Sequence, residues 1–454
     1  MAGLDVAGKN ISVIGAARSG VAVAGLLHAH GAHVFVSDSS PKEKLVEQLP
    51  ALVSLGVEFE TGRHSDRLYA ADMMVLSPGV SSEAPPVREA VRRNIPVVSE
   101  LEVASWFCPA PIIAITGTNG KTTTTTLVGR MLQDDKRKHV VAGNIGAAFS
   151  GVVHELDAQS VAVLEVSSFQ LDHVQTFRPH ISVILNITPD HLDRYQGSFE
   201  RYAESKLRIV QNQRSDDVVL YNADDKMVCR MMERSTERPV QAVPFGLELG
   251  PGYGAGIENG MLVTVLHGQR TEIVRVSEMT LRGTHNMYNA MAATMAAQLL
   301  GVRPASLRAT LRNFKGVEHR LEFVRELDGV KYVNDSKATN VDSVWYALQT
   351  YDEPLVLLLG GRDKGNDYAK IADLVRRHVT TIIAIGESAD KVSASFAGSV
   401  PVHAARSMNE AVLLARQCAK RGDIVLLSPA CASFDWFENY EHRGRVFKEL
   451  VHSL

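Results

Sequence analysis

The stretch Ile113-Ala114-Ile115-Thr116-Gly117-Thr118-Asn119-Gly120-Lys121-Thr122-Thr123 decides how the chain is read. The β-branched run at 112–116 has the composition of a buried strand, a Gly-rich turn follows, and residues 122–132 can continue as a helix. Strand, glycine turn and Gly-Lys-Thr at a helix start is the layout of a phosphate cradle. Loop N–H groups and the helix N-terminus face phosphate oxygens, Lys121 adds a point charge, and the Thr122 hydroxyl can ligate Mg²⁺. The general pattern G-x-x-x-x-G-K-[ST] would place Gly where this chain has Ile115, and a Gly occurs at 117 instead. A chance Gly-rich turn is the plain alternative, and the order of elements and their flanks favour an ATP site over it.

The chain has 454 residues, enough for about three domains of ~150 residues each. Charged residues make up 22% and hydrophobic residues 45%, and 48 basic against 51 acidic residues leave a net charge of −3. That balance carries no electrostatic footprint for nucleic acid or a membrane surface. Cys108, Cys229, Cys418 and Cys431 are scattered with no C-x-x-C spacing, which argues for reduced thiols and against a zinc site. Met1-Ala2-Gly3-Leu4-Asp5 has no basic segment leading into a long apolar run, and no stretch nears the ~18–20 apolar residues of a membrane span. A cytoplasmic protein without membrane insertion is the expectation.

Upstream of the cradle, a short strand at 10–14 ends in Gly15-Ala16-Ala17-Arg18-Ser19-Gly20, a helix follows, and a second strand closes on Asp38. This resembles a dinucleotide fingerprint with its ribose-binding acid, except that Ala17 replaces the Gly that lets backbone approach a pyrophosphate. NAD, another nucleotide diphosphate, or a purely structural βα turn all remain open from this loop. A strand at 73–76 runs into Ser77-Pro78-Gly79-Val80, at the strand end where open α/β sheets bind ligands.

Downstream, the turn Gly143-Asn144-Ile145-Gly146 follows a strand. SVAVLEV at 160–166 is a strand covered on both faces and contains Glu165. The run at 181–187 leads to Pro189-Asp190-His191. Acids and histidines just past parallel strands collect on the edge that carries the phosphate loop, so Glu165 and His191 are candidate Mg²⁺ ligands. In the helix expected at 198–211, Phe199, Tyr202, Lys206 and Ile209 form one apolar stripe. Lys206 either snorkels to water with only its stem buried, or is desolvated into a reactive neutral amine. Residues 250–276 suggest hairpins of a smaller β-element. Asn286 and Asn289 share a face of the next helix and either cap it or read a base. A third βαβ region carries Asn334-Asp335-Ser336-Lys337-Ala338-Thr339-Asn340, Gly360-Gly361-Arg362-Asp363-Lys364-Gly365 and Ser428-Pro429-Ala430-Cys431-Ala432-Ser433 at strand ends.

Together these stretches resemble the Mur ligase superfamily across essentially the whole chain, and the form of Glu165–Leu171, 334–340 and 428–433 is that of its D-glutamate-adding branch. The superfamily has its own phosphate loop, which accounts for Ile115. The resemblance implies an α/β protein of three domains. A Rossmann-like domain at 1–99 binds the UDP-substrate, a central P-loop ATPase-type mononucleotide-binding domain with a small β-element spans 100–316, and a Rossmann-like glutamate domain spans 317–454. It implies ATP, two Mg²⁺ ions and a CO₂-derived carbamate on Lys206 as cofactors. It further implies UDP-N-acetylmuramoyl-L-alanine and glutamate as partners of a monomer that joins them through an acyl phosphate.

By the same resemblance, Gly117, Thr118, Asn119, Gly120, Lys121, Thr122, Thr123, Asn286, Asn289, Arg320 and Asp335 bind ATP. Thr122, Glu165, His191 and Lys206 serve the metal ions, and Lys121, Glu165, His191 and Lys206 form the catalytic set. Arg18, Ser19, Asp38, Ser39, Ser77, Gly79, Asn144 and His191 contact the UDP-substrate. Lys337, Thr339, Lys364, Ser433 and Tyr440 surround the glutamate, with Tyr440 and Phe434 departing from the residues usual at those positions.

Overall fold

Ile112–Thr116 is buried along its whole length and has a parallel strand on either side, as its β-branched composition requires. The computed structural model describes residues 5–234, 240–248, 252–363 and 365–454; Lys364, one of the expected glutamate contacts, lies outside them. The described residues form three sheets.

The first contains β1 (Asn10–Ile14), β2 (His33–Asp38), β3 (Glu58–Thr61), β4 (Met73–Leu76) and β5 (Val97–Ser99) in the parallel order β3-β2-β1-β4-β5. The order reverses between β1 and β4, so the turns after those two strands flank one crevice. The helix Arg18–Ala29 returns the chain from β1 to β2.

The second sheet has nine strands: β6 (Ile112–Thr116), β7 (His139–Gly143), β8 (Val161–Glu165), β9 (Ile181–Ile184), β10 (Val218–Asn222), β11 (Gln241–Phe245), β12 (Gly254–Glu258), β13 (Met261–Leu266) and β14 (Gln269–Arg275). Their order is β14-β13-β12-β11-β10-β9-β6-β8-β7. Pairing is parallel from β7 across to β12 and antiparallel through β12, β13 and β14. The expected hairpins are therefore present, but they extend the central sheet from the Phe245–Ala255 pair.

The third sheet, β15 (Glu322–Leu327), β16 (Val330–Asn334), β17 (Leu355–Gly360), β18 (Val379–Ile385), β19 (Val402–Ala404) and β20 (Ile424–Leu427), runs β15-β16-β20-β17-β18-β19 and is parallel except for the β15–β16 hairpin.

Two compact units result. Residues 1–279 with 288–312 form the first, and residues 280–287 with 313–454 form the second. Within the first unit one hydrophobic core runs through both sheets' helices: Leu26, Leu101 and Ala104 join Phe149, Val153, Leu164 and Phe177. A buried carboxylate reinforces this junction. Glu102 accepts hydrogen bonds from the backbone N–H groups of Gln175 (3.0 Å), Thr176 (2.8 Å) and Phe177 (2.9 Å), and from the Trp106 indole (2.9 Å). In the second unit, separate cores lie on the two faces of the third sheet. Among the described residues, no helix is long and apolar enough to cross a membrane.

Candidate active site

The phosphate loop leaves β6 at Gly117 and enters the helix Lys121–Asp134 through Gly120, which caps the helix in the left-handed region at φ +87°. A Cβ on Gly120 would run into the Asn289 amide oxygen, so this position requires glycine. The Thr118 N–H donates to the Asn186 carbonyl at 2.9 Å, and the Asn119 N–H to the Asn186 side-chain oxygen at 2.8 Å. Asn186 returns a bond to the Asn119 carbonyl at 3.0 Å, which fixes the loop against the end of β9. Asn289 accepts from Thr124 Oγ1 at 3.2 Å beneath the loop.

Two lysines meet on one carbonyl. Lys121 Nζ donates to the Gly117 and Thr118 carbonyls, both at 2.9 Å, and Lys206 Nζ donates to the Gly117 carbonyl at 2.8 Å. Lys206 is only 2% exposed, which rules out snorkelling for this member of the apolar stripe. Tyr202, one turn earlier, puts its ring 4.7 Å from the ammonium and its hydroxyl 3.1 Å from Thr118 Oγ1. Burial pushes the Lys206 amine well below its ordinary value, the charge of Lys121 pushes it further, and Asp190, Asp172 and Glu165 oppose both.

Glu165 ends β8, beside β6 in the sheet, and is itself 2% exposed. Its carboxylate accepts from Thr122 Oγ1 at 2.8 Å and from Asn144 Nδ2 at 2.9 Å. His191 adopts φ +52°, unusual for a residue with a Cβ. Its Nε2 lies 3.7 Å from Asp190, and its ring stands edge-on to Phe169 at 5.1 Å. The Thr122 hydroxyl and the Glu165 carboxylate are hard oxygen donors of the kind Mg²⁺ takes, and His191 follows the end of β9, on the other side of β6 from β8. Asn186, Asp190 and Tyr202 were not singled out from sequence. Asp190 and Tyr202 lie inside the strand-end run and the apolar stripe that drew attention to their neighbours, which was the available signal.

In the first sheet, a cleft of about 850 Å³ opens at the crevice between β1 and β4. Gly15, Asp38, Ser39 and Gly79 line it, together with His64 and Tyr69. Asp38 accepts from the Ala16 and Ser40 N–H groups, each at 2.7 Å. Ser77 is buried and donates to the Gly15 carbonyl at 3.0 Å, so it supports the loop. Arg18 and Ser19 open the following helix and are not among the residues lining the cleft.

In the second unit, Asp335 is buried and accepts from Ser428 Oγ at 2.8 Å and the Leu321 N–H at 3.3 Å. Burial pushes its carboxyl up to about 7, against the pull of Ser428, Arg320 and the Leu321 N–H. Asn286 donates to the Arg282 carbonyl at 2.8 Å. Lys337 Nζ sits 5.0 Å over the Tyr440 ring. Ser433 is buried, Thr339 is half-buried and Phe434 is 60% exposed. Arg443, not singled out from sequence, is 1% exposed and ties these stretches together. It donates to Ser336 Oγ (2.9 Å), the Ser336 carbonyl (2.7 Å) and the Cys431 carbonyl (3.1 Å).

A parallel sheet with a P-loop at the end of its central strand, flanked by an acid and a histidine on neighbouring strand ends, is the layout of a phosphate-transferring α/β enzyme. Comparison with known families makes the class specific. Residues 9–99 match the family described as "Mur ligase MurD-like, N-terminal domain", residues 115–297 "Mur ligase middle domain", and residues 319–431 "Mur ligase, glutamate ligase domain". The UDP-N-acetylmuramoylalanine–D-glutamate ligase of Salinibacter ruber is 48% identical to this chain, with 99% of each covered. The protein of the same name from Chloroherpeton thalassium is 47% identical at the same coverage.

Among solved structures, a pseudomurein peptide ligase type C from Methanothermus fervidus aligns with a TM-score of 0.63 at 20% identity, covering 98% of this chain and 99% of that one. The UDP-N-acetylmuramate-alanine ligase of Thermotoga maritima aligns at 0.61 and 20% identity with the same coverage. Both likenesses concern the fold. The chain belongs to the Mur ligase family of ATP-dependent ligases, which use ATP and Mg²⁺.

Proposed function

We propose that the chain joins D-glutamate to UDP-N-acetylmuramoyl-L-alanine at the expense of ATP, forming an amide in peptidoglycan-precursor synthesis. The convergence of Lys121 and Lys206 on the Gly117 carbonyl, beside the Thr122–Glu165 pair, is the observation that carries the chemistry. The names of full-length relatives supply the substrates.

In the reaction so assigned, the alanyl carboxylate attacks the γ-phosphorus of ATP, an O–P bond forms, and the bond to ADP breaks. The glutamate amine then attacks the acyl carbon, the C–N bond forms, and phosphate and a proton leave. The carboxylate and the phosphoryl group are both anionic, so the chain must supply positive charge and fixed dipoles in place of water. Lys121 and the N-terminus of the helix Lys121–Asp134 do so from one side. Thr122, Glu165, His191 and a derivatised Lys206 would hold Mg²⁺, which when bound adds positive charge at the γ-phosphoryl oxygens.

Lys206 takes part as a carbamate. Its uncharged amine attacks CO₂, a C–N bond forms, one proton is lost, and a carboxylate stands where an ammonium stood. The depressed basicity of this amine makes the uncharged form available. Asn286, Asn289, Arg320 and Asp335 hold the nucleotide. Lys337, Thr339, Lys364, Ser433 and Tyr440 take the glutamate, with the Tyr440 ring positioning the Lys337 ammonium.

The test is phosphate release by the purified protein. It is expected to require both UDP-N-acetylmuramoyl-L-alanine and D-glutamate, and release with L-glutamate instead would overturn the substrate assignment. The carbamate has its own readout: a carbamate carbon signal after loading with ¹³C-bicarbonate, absent in Lys206→Ala. Lys206→Ala with near-wild-type turnover would overturn that role.

A further inference from the structure

The cleft of the first sheet contains a hydrogen-bond relay that places a hydrogen on Nδ1 of one histidine. Ser37, completely buried on β2, has its hydroxyl 2.7 Å from Glu60 Oε1 and 2.7 Å from His64 Nδ1, with the Arg63 carbonyl more distant at 3.4 Å. Burial raises the Glu60 carboxyl, but the Ser65 N–H at 2.8 Å, the Ser37 hydroxyl and His64 outweigh it and hold the group below its ordinary range. Glu60 is therefore an ionised acceptor. Ser37 has one proton to give, and both Glu60 and the Arg63 carbonyl can only accept. The Ser37 oxygen must in turn accept from His64, so Nδ1 carries the hydrogen. In the neutral ring that leaves Nε2 as a bare acceptor, with no hydrogen-bond partner among the described residues. His64 lines the cleft beside Tyr69, whose ring is braced by the Arg93 guanidinium at 4.1 Å.

We propose that His64 Nε2 reads the pyrimidine of the UDP-substrate by accepting its imino N3–H, with Ser37 and Glu60 as positioning residues that fix the ring tautomer. Uracil presents a donor at N3, whereas cytosine presents a lone pair there, so a bare imidazole nitrogen attracts the first and repels the second. This rests on the functional reading above only in taking the cleft to be the uridine site. Hydrogen-bond matching of this kind discriminates because a mismatch leaves a desolvated polar group unpaired.

Titration calorimetry of the full chain with UDP, CDP and N3-methyl-UDP tests the assignment. Wild type is expected to prefer UDP over both others by on the order of tenfold or more. His64→Ala is expected to level the three, and His64→Gln to restore part of the preference through its amide oxygen. In turnover assays, His64→Ala should raise KM for the UDP-substrate and leave kcat nearly unchanged. Ser37→Ala should weaken the UDP preference while His64 remains in place. An unchanged UDP-to-CDP ratio in His64→Ala would overturn the role of His64 alone. Failure of wild type to bind UDP, with ATP binding intact, would overturn the uridine assignment of the cleft and the inference with it.

Discussion

Asp335 makes the stability of the second unit depend on pH in the direction opposite to that of a typical paired carboxylate. Its carboxyl ordinarily titrates at 3.8, and in the folded chain burial pushes it up to about 7. Between those values the native state keeps a proton that the unfolded chain has released, so stability must fall as pH rises and the loss is complete above about 7. At about 1.4 kcal/mol per pH unit, the interval is worth about 4 kcal/mol. Asp335→Asn replaces the protonated acid with a neutral amide and should remove this dependence. The assay is urea unfolding at pH 5 and pH 8.5 in a Trp106→Phe background, where the remaining tryptophans, Trp345 and Trp436, both report on the second unit. From pH 5 only the two pH units up to about 7 count, about 3 kcal/mol, so with a slope of about 2 kcal/mol per molar urea the wild-type midpoint should drop about 1.5 M more than the variant's. Other titrating groups act on both proteins and cancel. Equal midpoint changes in the two proteins would refute the argument.

Two further perturbations probe the first unit. Gly120→Ala forces a Cβ into the left-handed region and against Asn289, breaking the Thr124–Asn289 bond; about 2–3 kcal/mol of stability and most ATP affinity should be lost, as read by thermal melts and nucleotide titration. Glu102→Gln keeps one acceptor oxygen but turns an NH₂ toward backbone donors of residues 175–177; roughly 2–4 kcal/mol should be lost in urea melts with no direct effect on chemistry, and a change within 0.5 kcal/mol (about the size of a neutral surface substitution) would refute the clamp.

The central strands were legible because burial on both faces writes itself into composition. Ile112–Thr116, Val161–Glu165 and Leu355–Gly360 are fully buried and nearly free of polar residues. Glu58–Thr61 and Val402–Ala404 have no fully buried position and Gln241–Phe245 begins with two exposed ones, so none carries the composition of a covered strand. The hairpins at 254–275 show their alternation, but their attachment to the central sheet is a parallel pairing of β12 with β11 at Phe245 and Ala255, which alternation does not encode. The stripe containing Lys206 was visible at helical spacing. Its depth was not, because the Gly117 carbonyl that receives the ammonium comes from 89 residues away. The relay from Glu60 through Ser37 to His64 is likewise assembled across sequence separations of 23 and 27 residues.

The displaced glycine of the phosphate loop and the buried lysine have a common physical origin. Ile115 lies inside β6, in register with Glu165 on one side and Val183 on the other, so glycine there would leave a hole in a fully covered sheet. The strand therefore continues through Thr116, and the turn begins at Gly117, whose carbonyl receives both Lys121 and Lys206. Two ammonium groups on one carbonyl oxygen stand within roughly 6 Å of each other, a repulsion of about 3 kcal/mol at an effective dielectric constant near 20. Burial adds more to that cost for Lys206 than for its more exposed partner, so the conflict lowers the basicity of Lys206. A carboxylate on that same nitrogen would turn the repulsion into attraction for Lys121. The form of the loop thus brings both amines to one carbonyl, the conflict that the proposed carbamate on Lys206 would remove.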